Sequence, residues 1–363
     1  MTDGVDFTYT GLPARVVFGT GTLARVHSEA ERLGMLRALV LTTPPQAEHG
    51  RAVADRLGER AAGVFSGAMM HTPVEVTRAA LAVVAEVRAD GVVAIGGGST
   101  IGLGKAIAAR TGVPQLAIPT TYAGSEMTPI LGETEAGHKT TRRTLDVLPE
   151  TVIYDVDLTL SLPVALSGTS GINAIAHAVE ALYAPDANPI ISLMAEQGMA
   201  ALARALPVIA GAPGDRAARR DALYGAWLCG VCLGSVAMAL HHKLCHVLGG
   251  TFALPHAETH TVVLPHAVAY NAPAAPEAMS RIARALGASG ASTASGADGA
   301  TALYDLAGAV GARRSLAELG MSAAALDRAA ELAVQNPYAN PRPLERAAIR
   351  ELLERAFTGA PPR

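Results

Sequence analysis

Two pairs of polar residues, each spaced four positions apart, are the part of this chain best suited to chemistry. Asn173 and His177 lie in SGINAIAHAVEAL, and His242 and His246 lie in LHHKLCHVLGG. Because residues four apart project from one face of a helix, two helices could bring both pairs to a single centre. A further imidazole, His256 in TFALPHAETH, follows shortly after the second pair. We predict that these side chains form one site.

The residue type at position 173 argues against a metal ion in this site. A divalent ion held by neutral imidazoles normally has a carboxylate ligand as well, which supplies negative charge. Asn173 offers only the neutral oxygen of an amide. We therefore predict no bound metal and expect hydrogen-bonding or cationic chemistry from the histidines.

The composition is that of a globular protein without a strongly charged binding surface. The chain has 363 residues, of which 50% are hydrophobic and 17% charged, and its formal net charge is -3. This length allows two domains, and the scattered Lys and Arg residues do not form the basic stripe of a nucleic-acid-binding protein. The sequence lacks both an apolar run of about eighteen residues and a signal-peptide pattern, so it predicts a cytoplasmic protein with no membrane partner.

The three cysteines also fit a reducing compartment. Cys229 and Cys232 form a CxxC pattern, but they lie in the apolar run WLCGVCLGSVAMAL. We interpret them as buried packing residues of a helix rather than as redox or zinc-binding groups.

Secondary-structure signals divide the chain near Asp157. Up to that residue, short β-branched runs such as RALVLTT, GVVAIGGG and TVIYDVD alternate with helical segments. This alternation predicts an α/β domain over residues 1–157, with a Rossmann-like parallel sheet covered by helices. Ala/Leu-rich helical stretches follow, so residues 158–363 are predicted to form an all-α domain that carries the substrate and catalytic site. His260 and His266 lie in a segment that reads as a buried helix, and we interpret both as structural.

A glycine-rich turn between a predicted strand and a predicted helix indicates a dinucleotide site. The turn follows the strand GVVAI and consists of Gly96, Gly97, Gly98, Ser99 and Thr100. A helix N-terminus presents free N–H groups and the positive end of the helix dipole to a phosphate. The strict GxGxxG pattern is absent, so the prediction depends on the strand before the turn and the helix after it. A side chain at Gly97 would take space that a pyrophosphate must approach.

Two further loops are expected at the same edge of the sheet. The loop from Pro119 to Pro129 carries the hydroxyl groups of Thr120, Thr121 and Ser125, which could bind phosphate or carboxamide groups. The loop after RALVLTT carries Thr42 and Thr43 and has no acidic residue beside them to bind a ribose 2′-hydroxyl. We therefore predict that both NADH and NADPH are accepted.

Motifs spread over nearly the whole chain resemble the iron-dependent (group III) alcohol dehydrogenase superfamily. They are, in order, GGGST with GK, PTTYAGSE, DVDLTLSLP, GINAIAHAVEALYA, HHKLCHVLGGTFALPH and VVLPHAVAYN. Within the superfamily they are most similar to the maleylacetate reductases. The resemblance implies a dinucleotide-binding α/β domain followed by a helical domain, which is the dehydroquinate synthase-like fold, and it suggests a homodimer.

The resemblance also implies roles for single residues. The metal ligands of the metal-dependent members correspond to Asn173, His177, His242 and His256 in this sequence, and His246 corresponds to a position that lines the site without ligating. The asparagine is typical of the reductase branch, which works without a metal. Gly102 and the PHA at His256 are further departures from the metal-dependent pattern. Lys139 in GHKTT matches a lysine near the cofactor phosphates.

The implied reaction is hydride transfer from NADH or NADPH to the carbon–carbon double bond of maleylacetate, giving 3-oxoadipate in aromatic degradation. The histidines, with Lys243 nearby, would stabilise the enolate oxygen that forms. The dicarboxylate substrate needs cationic partners, for which Lys243, His241 and Arg342 are the candidates. Two alternatives are a metal-dependent alcohol or polyol dehydrogenase and a nucleotide-binding protein without catalysis.

Overall fold

A computed structural model describes residues 7–288, 297–335 and 338–363. The chain divides into two compact units, one spanning Leu12–Leu162 and the other formed chiefly by Pro163–Arg363. The division lies a few residues after the predicted one because a 3-10 turn, Val156–Thr159, directly follows the last strand. Leu158 in this turn packs against the core of the sheet, which keeps the turn in the first unit.

The first unit contains the predicted parallel sheet. Its six strands pair in the order β1-β8-β5-β4-β2-β3, and each pairing is parallel. The strands are β1 (Arg15–Gly19), β2 (Ala38–Leu41), β3 (Ala61–Phe65), β4 (Gly91–Gly96), β5 (Gln115–Pro119) and β8 (Thr151–Asp155). The four inner strands are buried along their whole length. Their sequences are mostly apolar because helices cover both faces of the sheet.

Alternating side chains of the inner strands build a separate core on each face of the sheet. Val40 and Val93 belong to one cluster, whereas Leu39 and Val92 belong to the other. This is the two-residue period of a strand, and here both faces are apolar. The helices of this unit are α1 (Val26–Arg32), α2 (Ala47–Leu57), α3 (Val74–Glu86) and α4 (Gly98–Thr111).

The first unit also contains a hairpin that the sequence analysis missed. Strands β6 (Ile130–Glu135) and β7 (His138–Arg143) pair antiparallel. Ala136 and Gly137 connect them, both with positive φ, at 49° and 79°. Such a two-residue turn matches the twist of a hairpin. Its strands are rich in Glu, Thr, Lys and Arg, so they lack the apolar alternation that would have revealed them.

The second unit is helical, as predicted. Its helices are α5 (Val164–Ala181), α6 (Pro189–Gly211), α7 (Arg216–Ser235), α8 (Leu240–Phe252), α9 (His256–Asn271), α10 (Pro276–Ala285), α11 (Ala297–Ala309), α12 (Leu326–Val334) and α13 (Arg346–Thr358). Helix α6 begins at Pro189, after Asn188 accepts a hydrogen bond from the Ile191 N–H. Helix α7 begins in the same way after Asp215.

Glycines allow α6 and α7 to cross closely. A Cβ on Gly225 would lie 2.8 Å from the carbonyl oxygen of Gly198, so neither helix tolerates a larger residue at the crossing. Cys229 and Cys232 are buried in the same packing, as predicted. Burial raises the pKa of the Cys232 thiol to about 12, which leaves it protonated and inert.

Among the described residues, no single helix is long and apolar enough to span a membrane. The pair α7 and α8 passes the length and composition test only together, and the two helices are bent by 94° at their junction.

Candidate active site

The glycine turn between β4 and α4 leaves open space at the start of the helix. Gly96 has φ 152°, and a Cβ on it would lie 2.4 Å from Thr100 Oγ1. A Cβ on Gly97 would lie 3.1 Å from the methyl group of Thr121. A Cβ on Gly98 would meet no protein atom within 4 Å. The first turn of α4 is therefore accessible at Gly98, where free N–H groups can receive an anion.

The loops after β2 and β5 lie beside this turn, because their strands flank β4 in the sheet. Gln46 connects the two loops: its Nε2 donates to Thr120 Oγ1 at 3.0 Å, and its Oε1 accepts from Thr43 Oγ1 at 3.3 Å. The Thr42 hydroxyl, which is buried, donates to the Gln46 carbonyl. The structure thus brings together the predicted residues of three loops: Gly96, Gly97, Gly98, Ser99, Thr100, Thr120, Thr121, Thr42 and Thr43.

Lys105 is a buried charged residue whose contacts the sequence analysis did not predict. It is fully buried in α4, and its Nζ donates to the carbonyl oxygens of Ser125, Thr128 and Ile130 and to the Thr128 hydroxyl, at 2.6 to 2.9 Å. Burial lowers its pKa to about 7, and the charge of Glu126 acts in the opposite direction. Lys105 therefore fixes the shape of the loop that carries Ser125.

Lys139 and Gly102 are the two other residues of this unit that the sequence analysis singled out. The backbone of Lys139 lies in β7 opposite Thr134, but its side chain is outside the described part of the structure. Its contact with cofactor phosphates stays a prediction. At Gly102, a Cβ would lie 2.4 Å from Thr72 Oγ1. An aspartate at this position would therefore require Thr72 to move.

Replacing Gly98 by alanine should separate folding from cofactor binding. The new methyl group meets no protein atom within 4 Å, so it should not disturb the fold. We expect an unchanged or raised melting temperature together with a several-fold higher Michaelis constant for NADH. Gly211→Ala in α6 is the matched control, since its Cβ also meets nothing within 4 Å. Unchanged cofactor binding in Gly98→Ala would contradict the assignment of the turn.

Replacing Thr43 by aspartate should shift cofactor preference towards NADH. The nearest acid along the chain, Glu48, is exposed and lies 4.0 Å from Arg51, so it is partly neutralised. A carboxylate at position 43 would repel a 2′-phosphate and accept from a 2′-hydroxyl. The ratio of kcat/KM for the two cofactors measures the shift. A wild type that already rejects NADPH about a thousandfold, about 4 kcal/mol, would contradict the predicted dual use.

In the helical unit, α5, α8 and α9 bring the predicted histidines together. The rings of His177 and His242 are stacked with centroids 5.2 Å apart, and the centroids of His242 and His246 are 6.4 Å apart. His256 reaches the group through His260, with ring centroids 4.4 Å apart. Asn173 lies on α5 one turn before His177. We call these six residues the histidine cluster.

Glu180, which the sequence analysis missed, holds the cluster in place through a hydrogen bond from His242. It lies on α5 and is fully buried. Its carboxylate accepts from His242 Nδ1 at 2.7 Å and from the backbone N–H groups of Ala239 and His241 at 2.8 and 2.7 Å. These two amides lie at the N-terminus of α8, so Glu180 caps this helix and orients His242 at the same time. A charged residue in the otherwise apolar run AIAHAVEAL, three positions after His177, was the available signal.

His241 and His260 form a buried pair, which corrects the interpretation of His241. His241 Nε2 and His260 Nδ1 are 2.9 Å apart. Burial lowers the pKa of both rings well below the usual range, with neighbouring histidines adding to the effect. His241 is therefore neutral and inaccessible, so the expectation that it binds a substrate carboxylate as a cation is wrong. His260 is buried as expected, but it touches His242 and His256 rather than serving the apolar core alone.

The cluster has a buried side and an exposed side. Asn173, His177 and His242 are buried, whereas His246 and His256 are exposed. Burial also lowers the pKa of His177 well below its usual value. Several buried polar atoms have no hydrogen-bond partner within the described residues: Asn173 Oδ1, His177 Nδ1, His242 Nε2 and His260 Nε2. Buried polar atoms are rarely left unpaired, so these atoms make the cluster a candidate site for a polar ligand.

The two remaining cationic candidates lie in different surroundings. Lys243 is next to His242 in the sequence and is half-buried. Its Nζ lies 5.7 Å from the centre of the Tyr338 ring, so it contacts an aromatic face. Arg342 lies over the ring of Tyr270 at 4.3 Å and lines a cavity that no member of the histidine cluster lines. The geometry thus does not support Arg342 as a partner of a ligand held by the cluster.

The donor set of the cluster has no anionic group for a divalent metal, and the absence of a bound metal stays a prediction. Asn173, His177, His242 and His256 offer one amide oxygen and imidazole nitrogens, with no anionic ligand atom. The nearby carboxylate, Glu180, already accepts from three donors and holds His242 through Nδ1. A group that shares His260 with the cluster, His241, Cys245 and His260, has ligand atoms within 4.8 Å of one another. Burial raises the pKa of the Cys245 thiol well above its usual value, which opposes the thiolate that a metal requires.

Comparisons with known proteins identify the family. Two family models match the chain. The model described as "Iron-containing alcohol dehydrogenase" matches residues 13–156, and the model described as "Fe-containing alcohol dehydrogenase family, C-terminal" matches residues 167–357. The chain belongs to the iron-containing alcohol dehydrogenase family. A solved iron-containing alcohol dehydrogenase from Corynebacterium glutamicum is 42% identical, with a TM-score of 0.91 over 98% of each chain.

More similar relatives are named as one particular enzyme. Maleylacetate reductase of Rhizobium sp. (strain MTP-10005) is 57% identical over 98% of this chain and 99% of that protein. The crystal structure of maleylacetate reductase from Agrobacterium tumefaciens is 57% identical, with a TM-score of 0.94 over 99% of this chain and 100% of that chain. These relatives confirm the resemblance that the motifs predicted.

Proposed function

We propose that this chain is a maleylacetate reductase, which reduces the carbon–carbon double bond of maleylacetate to give 3-oxoadipate in aromatic degradation. Identity of 57% over nearly the full length to relatives of that name is the observation that carries the proposal. The histidine cluster supports it, because unpaired imidazole nitrogens next to a neutral Asn173 suit an anionic substrate.

The reaction is the conjugate reduction of an enone. NADH or NADPH, held by the glycine turn, would supply the hydride. The hydride adds to the alkene carbon β to the ketone, so negative charge collects on the ketone oxygen as an enolate. A proton must then add to the neighbouring carbon. The protein therefore has to stabilise one oxyanion and deliver one proton.

His242 is suited to the first task, the stabilisation of the oxyanion. Its Nδ1 donates to Glu180, so Nε2 can donate a hydrogen bond only when the ring carries a second proton. The buried carboxylate stabilises that positive charge and holds the ring in one orientation. We propose that His242 donates to the enolate oxygen. The exposed His246 or His256 then gives a proton to the neighbouring carbon and takes one back from solvent.

His256 should matter less than His242. A donor that is exposed to water gains less from a developing charge than a buried one, because solvent already screens the charge. We expect His256→Ala to lower kcat about tenfold, roughly 1.4 kcal/mol, with little change in the Michaelis constant for maleylacetate. Steady-state kinetics at saturating cofactor measure both. An effect only on the Michaelis constant would make His256 a carboxylate-binding residue.

A metal-dependent alcohol dehydrogenase is the second candidate function, and the family match is what favours it. One assay separates the two: oxidation of NADH with freshly made maleylacetate, with and without a strong chelator, beside a panel of alcohols and aldehydes. Full activity in chelator and no turnover of the panel support the reductase. Turnover of the panel with loss of activity in chelator would refute it.

Three further properties stay predictions. They are a homodimer, a cytoplasmic location, and the absence of nucleic-acid partners. Light scattering of the purified protein tests the first, and cell fractionation tests the second.

A further inference from the structure

A cavity of about 290 Å³ in the helical unit carries an unusual concentration of positive charge. Its wall is formed by residues of α9, of α13 and of the segments that precede and follow α13. The charged and titratable residues among them are His266, Arg342, Glu351, Arg355 and Arg363. These residues carry three guanidinium groups and the side-chain carboxylate of Glu351, and Arg363 adds its backbone carboxylate, so the formal excess is one positive charge.

The guanidinium groups of this cavity lack anionic partners. Within the described residues, no ion pair involves Arg342, Arg355 or Arg363. Other arginines of α13 are paired: Arg346 lies 3.3 Å from Asp327, and Arg350 lies 2.6 Å from Glu354. The same helix therefore neutralises its arginines elsewhere and leaves Arg355 at the cavity unneutralised.

Two of the cationic groups are held in place by neutral contacts. Arg342 lies over the Tyr270 ring at 4.3 Å and donates to the Tyr270 carbonyl at 3.3 Å. Arg355 donates through Nη2 to the Pro361 carbonyl, while its Nε is buried and has no partner within the described residues. Fixed guanidinium groups lose little entropy when they bind a planar or tetrahedral oxyanion.

His266 adds a buried donor or acceptor to the same wall. It is 3% exposed, and its Nε2 has no hydrogen-bond partner within the described residues. Burial and the charge of Arg355 lower its pKa to about 4, so the ring is neutral at physiological pH. An unpaired nitrogen on a nearly buried side chain indicates that a ligand completes the cavity.

We propose that this cavity is a binding site for a small oxyanion, separate from the histidine cluster. Carboxylate and phosphate oxygens both match the guanidinium groups. The two sources are a small dicarboxylate metabolite and free inorganic phosphate. The cavity is large enough for a small dicarboxylate or for phosphate. The exposed Glu351 in its wall would repel an anion of high charge.

The test is calorimetric titration of the full chain with succinate and, separately, with inorganic phosphate, at constant ionic strength. We expect saturable binding of one of them, weakened about tenfold or more in Arg355→Gln. Arg350→Gln is the matched control, because it removes the same charge from the same helix outside the cavity. We expect its affinity to stay within about twofold of wild type. The tighter of the two anions identifies the source.

Two further variants locate the bound anion. Arg363 is exposed, so Arg363→Gln tests the site without risk to the fold if Arg355→Gln does not fold. Binding should persist in His242→Gln. Loss of binding in that variant would place the anion in the histidine cluster and overturn the proposal. Equal weakening by Arg350→Gln, or no saturable binding of either anion, would overturn it as well.

Discussion

Replacing His242 by alanine is expected to lower the turnover number for maleylacetate on the order of a hundredfold, about 2.7 kcal/mol, similar to the loss of one oxyanion donor. The reason is that a buried donor to the enolate oxygen gains strength only as charge arrives in the transition state. The Michaelis constants for maleylacetate and for the cofactor should change little. A change confined to the substrate Michaelis constant would instead make His242 a binding residue for a carboxylate.

Glu180 provides the control that distinguishes orientation from direct contact. It is fully buried, and its carboxylate accepts from three donors. In Glu180→Gln the amide group must face one of these donors with its own N–H, so the N-terminus of α8 or His242 loses a partner. If Glu180 acts through His242, this variant should lower kcat in the wild-type background and have little further effect on kcat in His242→Ala.

Comparison of the two single variants with the double variant shows whether Glu180 acts through His242 or independently of it. Independent losses that multiply in the double variant would show that Glu180 acts on the reaction by another route. Glu196→Gln is a suitable comparison, since Glu196 is also an acid of the helical unit but pairs with the arginines of α10 at the surface. It should leave kcat unchanged. Circular dichroism of each variant shows whether the helices have formed.

The sequence predicted those parts of the molecule that follow from local periodicity. The inner strands were visible because they are continuous apolar runs, and the glycine turn was visible because it lies between a strand and a helix. The i, i+4 spacing predicted that Asn173 and His177 lie on one helix and that His242 and His246 lie on another, and the structure places rings of the two helices close together. His256 and His260 have the same spacing, but the apolar residues around His260 led to its interpretation as structural.

The features that were missed depend on contacts between distant parts of the chain. Lys105 binds carbonyl oxygens 20 to 25 residues away, and no local pattern reveals such acceptors. Glu180 binds the start of α8 about sixty residues later, so its role appears only when both helices are placed. A charged residue within an apolar helix is the signal that both share, because burial of a charge requires partners.

Asn173→Asp should convert the histidine cluster towards a metal site and weaken the reductase. The amide oxygen of Asn173 is buried and has no partner within the described residues, so a carboxylate there would find no protein donor. A divalent ion bound by the imidazoles would supply the missing positive charge. We expect iron or zinc to rise from well under one per chain to about one after loading, measured by elemental analysis.

The same substitution places a negative charge where the enolate forms. Two like charges about 6 Å apart repel by roughly 3 kcal/mol at an effective dielectric constant of about 20, which predicts about a hundredfold lower turnover of maleylacetate in chelator. Asn173→Ala removes the amide without adding charge, so it should keep low metal content and lose less activity. The wild type should be fully active in chelator. Stoichiometric metal in the wild type, with activity lost on chelation and restored by iron or zinc, would refute the metal-free mechanism, because a neutral amide would then have served as a metal ligand.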